Sequence, residues 1–168
     1  YAVTAPKYAG GCIGFMDIGS AASLGSGLEL LGQSLQLTDV LSALSVVVSV
    51  IEFSPVYGKP GGFSVKASGE DSTGRIGYAG GYAGLINGGH IQNSHVENFE
   101  YIIGQETAGG YVGELQPGDV ASLLDKTGGD LLTHLLNVDG LLSLGQTFVP
   151  TIRNSHTSCV PCGGAVRA

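Results

Sequence analysis

Residues 78–95 read YAGGYAGLINGGHIQNSH. An Ala-Gly-Gly corner, one aromatic, another Gly and then I-x-N-S is an odd order of residues for an isolated loop. The string does not stand alone. YAGGCIG occupies 8–14 and TAGGYVG occupies 107–113, while IRNSHT at 152–157 and the looser IEFSPV at 51–56 echo IQNSHV at 91–96. One such string is a turn, but several in the same order mark a repeating unit.

Each unit reads A-G-G-x-x-G, a connection, I-x-x-S-x-V/T, and a return to the next Gly pair. Unit one spans 9–78, unit two 79–107 and unit three 108 to about 161. Cys162-Gly163-Gly164 takes the Ala-Gly-Gly place of a fourth. The connection is short in unit two, from Gly84 to Ile91. It is long, and nearly equal in length, from Gly14 to Ile51 and from Gly113 to Ile152. The two long connections resemble each other. Thr38 and Asp39 read as a helix start before Val40, Leu41 and Leu44, and Asp130 as another before Leu131, Leu132, Leu135 and Leu136. Helical insertions are therefore expected over about 15–50 and 114–151.

Composition sets the outer bounds. The chain has 168 residues, 29 of them Gly, with 43% hydrophobic and 12% charged residues, which is the balance of a folded chain with many tight turns rather than a disordered one. The net charge of −7, with seven Lys and Arg and no basic run, argues against nucleic acid as a partner. The most apolar stretch, 40–51, is too short to span a bilayer and is flanked by Asp39 and Glu52, so no membrane insertion is expected. The first residue is Tyr1 and the last lie inside another copy of the unit, which reads as a segment of something longer.

A unit of this length without a long helix cannot bury its own apolar residues and must stack on its neighbours. The expected fold is mainly β: a single domain over 1–168, a short parallel β-solenoid of about three to four coils, with two helical insertions packed side by side on one flank. Paired Gly lets successive coils approach closely. In this register Ile51, Ile91 and Ile152 form one interior column, Asn93 stacks on Asn154, Ser94 on Ser155 and His95 on His156. Phe99 and Tyr101 are expected to share one face of the returning strand.

Little in the sequence points to chemistry. No H-E-x-x-H occurs, and the His95 and His156 pair lacks a third ligand at an obvious spacing, so neither a metal nor another cofactor is expected. Cys159 and Cys162 form a C-x-x-C without the helix a redox motif requires, and read as disulfide candidates, leaving Cys12 as a buried free thiol. Two acid pairs have the residue type a glycosidase or lyase needs: Glu97 with Glu100, and Glu70 with Asp71 in an exposed turn.

The strings AGGYAGLINGGHIQNSHVENF and TAGGYVG, with YAGGCIG and IRNSHT, resemble the GLUG-type repeats of large bacterial surface proteins, including adhesins and the stalks of some IgA-cleaving peptidases. The resemblance covers unit two and parts of one and three, but not the two insertions. It implies a secreted or wall-attached, extracellular location and a non-catalytic stalk or adhesion role. The implied partners are a host or matrix protein or a glycan, and neighbouring repeats of the same polypeptide. The other expectation is a carbohydrate-active β-helix domain that binds or cleaves polysaccharide.

Overall fold

Short apolar runs set between Gly corners suit strands, and the elements of the described chain are β-strands. The computed structural model describes residues 1–17, 48–71, 74–118, 148–160 and 165–168. Ahead of the first unit lies β1 (Ala2–Ala5). Unit one supplies β2 (Tyr8–Gly10), β3 (Ile13–Asp17), β4 (Val50–Glu52), β5 (Val56–Tyr57) and β6 (Phe63–Ala67), then a hairpin of β7 (Gly69–Asp71) and β8 (Gly74–Ile76). Unit two supplies β9 (Tyr78–Gly80), β10 (Ala83–Asn87), β11 (His90–Gln92) and β12 (Val96–Gly104). Unit three supplies β13 (Thr107–Gly109), β14 (Val112–Gln116), β15 (Thr151–Arg153), β16 (Thr157–Cys159) and β17 (Ala165–Arg167).

Strands pair between units rather than within them, and apart from the β7–β8 hairpin every pairing is parallel. The three Ala-Gly-Gly strings align: Ala79 lies opposite Ala9 and Ala108, and Gly80 opposite Gly10 and Gly109. β10 lies between β3 and β14, with Asn87 opposite Asp17 and Gln116. β11 lies between β4 and β15, so Ile91 faces Ile51 on one side and Ile152 on the other. The return strand β12 takes β5 and β6 on one side and β16 and β17 on the other, and β1 adds beyond β6.

Three expectations need correction. First, β17 pairs with Tyr101–Ile103, the same stretch that β6 pairs with, so Cys162-Gly163-Gly164 precedes the tail of unit three's return and does not open a fourth unit. The parallel is visible in hindsight between GGFSVKA at 61–67 and GGAVRA at 163–168. Second, Phe99 and Tyr101 do not share a face: Phe99 is buried and Tyr101 exposed. Phe99 pairs with Phe63 and Tyr101 with the next residue, Ser64, so Glu100 is an extra residue that shifts the alternation. Third, Cys12 is exposed rather than buried. The insertions expected over 15–50 and 114–151 lie mostly outside the described residues; at their described ends the chain forms the strands β3, β4, β14 and β15, with helical backbone at Phe148.

The core is a set of stacked columns. Ala9, Ala79, Phe63, Val65, Ile86, Ile91, Val96 and Ile102 are buried in one cluster, and Ile13, Ile51, Ala108 and Val112 pack against it from the outer units. The glycine pairs make this spacing reachable. A Cβ on Gly81 would overlap the carbonyl oxygen of Gly110 in the next unit, and one on Gly84 would come within 2.6 Å of the Gly14 carbonyl oxygen in the previous one. The stack can close to strand spacing only where no side chain intervenes.

The turn within each I-x-x-S string is also shared. Phe53, Asn93 and Asn154 occupy equivalent places with φ of 52°, 51° and 49°. Asn tolerates this left-handed conformation through local hydrogen bonding, whereas Phe is strained there. Asn154 donates from Nδ2 to Asn93 Oδ1 at 3.3 Å, and Asn93 donates in turn to Glu52 Oε1 at 3.3 Å. The backbone N–H of Ser54 donates to Ser94 Oγ, and that of Ser94 to Ser155 Oγ. The aromatic after the Gly pair completes the corner. Tyr82 and Tyr111 stack at 5.0 Å with planes 5° apart. The Tyr82 hydroxyl donates to the Ser54 carbonyl of the preceding unit at 2.9 Å, and the Tyr111 hydroxyl to the Ser94 carbonyl at 2.9 Å. Burial pushes both phenols above their ordinary pKa.

Three outcomes follow from this geometry. Gly81→Ala should destabilise the chain by about 1–3 kcal/mol, the usual range for overpacking, read by urea titration. Phe53→Asn should stabilise it by about 1–2 kcal/mol by relieving the left-handed strain, read in the same way. A phenol whose pKa is raised on folding stabilises the fold fully below its unfolded value of about 10, and that stability is lost as pH climbs further. Alkaline unfolding should therefore set in above about pH 10, and a Tyr82→Phe, Tyr111→Phe chain followed by circular dichroism should show a shallower decline.

Candidate functional site

The outward side of the I-x-N-S-H corner gathers a cluster of polar side chains. His95 and His156, in equivalent places of units two and three, stack with ring centroids 4.8 Å apart and planes 7° apart. The Tyr57 hydroxyl lies 3.0 Å from His95 Nε2, and its ring meets the His95 ring edge-on at 5.3 Å. Glu97 Oε1 stands 3.6 Å from His95 Nε2 and 3.9 Å from His156 Nε2. Glu97 is opposite Tyr57 in the β5–β12 pairing, which explains why all four groups converge. Asn98, at φ 60°, follows as an extra residue between Val96 and Phe99 relative to β16. Sequence reading finds the two histidines and Glu97, but pairs Glu97 with Glu100 rather than with the histidines. The signal was present, since residues two apart on an extended chain share a face, which places Glu97 beside His95.

Glu97 and Glu100 have different neighbours. Glu97 faces the histidines, while Glu100 accepts a hydrogen bond from Ser64 Oγ at 3.3 Å and lines a separate shallow cleft of about 330 Å³. That cleft is completed by Tyr101, Ile103, Ala165 and Arg167. Of the other acid pair, Glu70 is exposed on β7, in the hairpin. A second cleft, about 290 Å³, runs along the outer face of β4, β11 and β15 between Val50, His90, Gln92, Thr151 and Arg153. His90 Nδ1 and Thr151 Oγ1 are 2.7 Å apart within it.

Ile51, Ile91 and Ile152 are in one register, and Ile91 is fully buried between the other two. Cys159 is exposed, and Cys162, the other half of the expected disulfide, lies outside the described residues. Among the described residues no three His, Cys, Asp or Glu side chains are grouped closely enough to hold a metal ion, and no helix is long and apolar enough to cross a membrane.

A different surface collects aromatics near the start of units one and two. Tyr8 is stacked on Phe15 at 4.8 Å and lies 5.5 Å from Tyr78, with Lys7 Nζ 5.1 Å above the Tyr8 ring. Burial first, then a hydrogen bond to Glu106, raises the Tyr78 phenol to about 12. The faces of Tyr8 are thus taken by protein groups. No family model matches the chain, and neither a curated protein nor a solved structure matches it.

Proposed function

We propose that this chain is a single short β-solenoid and serves as a non-catalytic stalk or adhesion module of an extracellular, bacterial surface protein of the GLUG-repeat type. The observation that carries the reading is the in-register parallel alignment of equivalent strings from three units, Ala9 with Ala79 and Ala108, and Ile51 with Ile91 and Ile152. Parallel pairing between successive repeats turns a chain into a rod, and a rod transmits length and displays its outer face. That face offers shallow clefts and polar columns, which suit contact with a host or matrix protein or a glycan.

A carbohydrate-active domain is the second reading. The cleft with Glu100, Tyr101 and Arg167 favours it, since a carboxylate, an aromatic and a guanidinium side by side are groups that engage sugar hydroxyls and rings. The separate neighbours of Glu97 and Glu100 favour binding over cleavage.

The test is a screen of the chain against arrayed glycans and matrix proteins, coupled to a reducing-sugar assay. Saturable binding without turnover, unchanged in Glu97→Gln and Glu100→Gln chains assayed for hydrolysis, is the expected result. Turnover abolished by either substitution would overturn the non-catalytic reading.

A further inference from the structure

The two glycine and serine corners share one polarity of hydrogen bonding between units, although elsewhere later units also donate to earlier ones, as His90 N–H does to the Ser49 carbonyl and Thr151 N–H to that of Gly89. At each corner the earlier unit donates from its backbone and the later unit accepts: Cys12 N–H to the Tyr82 carbonyl, Tyr82 N–H to that of Tyr111, Phe53 N–H to Gln92, Asn93 N–H to Arg153, Val56 N–H to His95 and Val96 N–H to His156. The tyrosine hydroxyls run the other way, from each later unit to the serine carbonyl of the earlier one. Unit three therefore ends this exchange with a defined set of unmet groups. Among the described residues, the corner N–H groups of Tyr111 and Asn154 meet no acceptor, and the Ser155 carbonyl and Asn154 Oδ1 meet no donor.

Burial falls at the same end. Leu115 is 46% exposed where its partner Ile86 is 1%, and Val166 is 43% exposed where its partner Ile102 is 0%. Tyr111 and Ser155 are half-buried, whereas Tyr82 and Ser94 are fully covered.

Building on the stacked-unit reading above, we propose that the unit-three end is a docking surface for one more tandem copy of the unit. That copy is specified by a Tyr after its Gly pair, to reach the Ser155 carbonyl, and an Asn-Ser corner, to continue the Asn154 and Ser155 ladders. The interface is continuous with the two that already join units one, two and three. The opposite end does not complement it. Unit one carries Cys12 where a tyrosine is needed and Phe53 where an asparagine would stack, so a second molecule of this chain meeting head to tail would leave the Ser155 carbonyl unfilled. Stacking thus has a polarity set by two residues per unit.

The experiment extends the full chain after Ala168 with Gln-Glu followed by a second copy of residues 78–104, the order in which unit two leads into unit three. Hydrogen exchange is then read residue by residue. The amides of Tyr111, Asn154, Leu115 and Val166 should slow about tenfold or more relative to the parent chain. Tyr82→Phe made only in the appended copy should return part of that protection at the corner, and the same copy placed ahead of Tyr1 should protect unit one less. An appended copy that stays unprotected while Ile91 and Ser94 remain protected would overturn the docking proposal and leave the stacked reading intact. Loss of protection at Ile91 and Ser94 in the parent chain itself would instead overturn the stacked reading. A dimer of the parent chain whose unit-three amides become protected with rising concentration would assign that end to a second molecule, contrary to the proposal.

Discussion

Close approach of one backbone to the next is the constraint on which this structure rests. The Gly pair after each Ala removes the Cβ at the place where the chain above passes nearest, as the contact of Gly81 with the Gly110 carbonyl oxygen shows. Parallel ladders need neighbouring strands about 4.8 Å apart. With side chains at these corners the ladders on either side would be forced open, and the interior columns would lose contact. Ala at the preceding position is small for a related reason: Ala9, Ala79 and Ala108 sit on one another at the inner edge of the corner, where the first two are buried.

Once the units are brought this close, the second corner fixes their register and direction. Left-handed residues at 53, 93 and 154 turn the chain sharply, and the serines that follow accept from the unit before. Tyr82 and Tyr111 bridge the two corners by spanning the interior from the Gly pair to the serine carbonyl of the neighbour. A buried phenol must find a partner or incur a desolvation cost, so the tyrosine favours the one register in which that carbonyl is within reach. The outer face inherits this order. Because equivalent residues stack, His95 and His156 come together with no further design, and Glu97 joins them from the adjoining strand.

The repeat was legible because its marks are chemical. Gly pairs, an Asn-Ser corner and an isoleucine two residues before the Asn each have a backbone reason for their place, so aligning the strings aligned the strands. What escaped the sequence was anything decided by count rather than type. Glu100 and Asn98 are extra residues in β12, and nothing in their identity announces that the alternation slips there. As a result Tyr101 turns outward and Ile102 takes the inner place. The tail was misplaced for a similar reason: a Gly pair at 163–164 looks like a new corner, yet its true counterpart is Gly61-Gly62 before β6. Among the polar residues, Glu97 was read as half of an acid pair because sequence neighbours were weighed and the opposing strand, with Tyr57, was not.

The measurement that bears most directly on the account is nuclear Overhauser contact between isoleucine methyl groups labelled at 51, 91 and 152. The stacked arrangement predicts strong contacts from Ile91 to both Ile51 and Ile152, and none between Ile51 and Ile152, which stand two strand spacings, about 9–10 Å, apart. Absence of the Ile91 to Ile152 contact, or a direct one between Ile51 and Ile152, would contradict it.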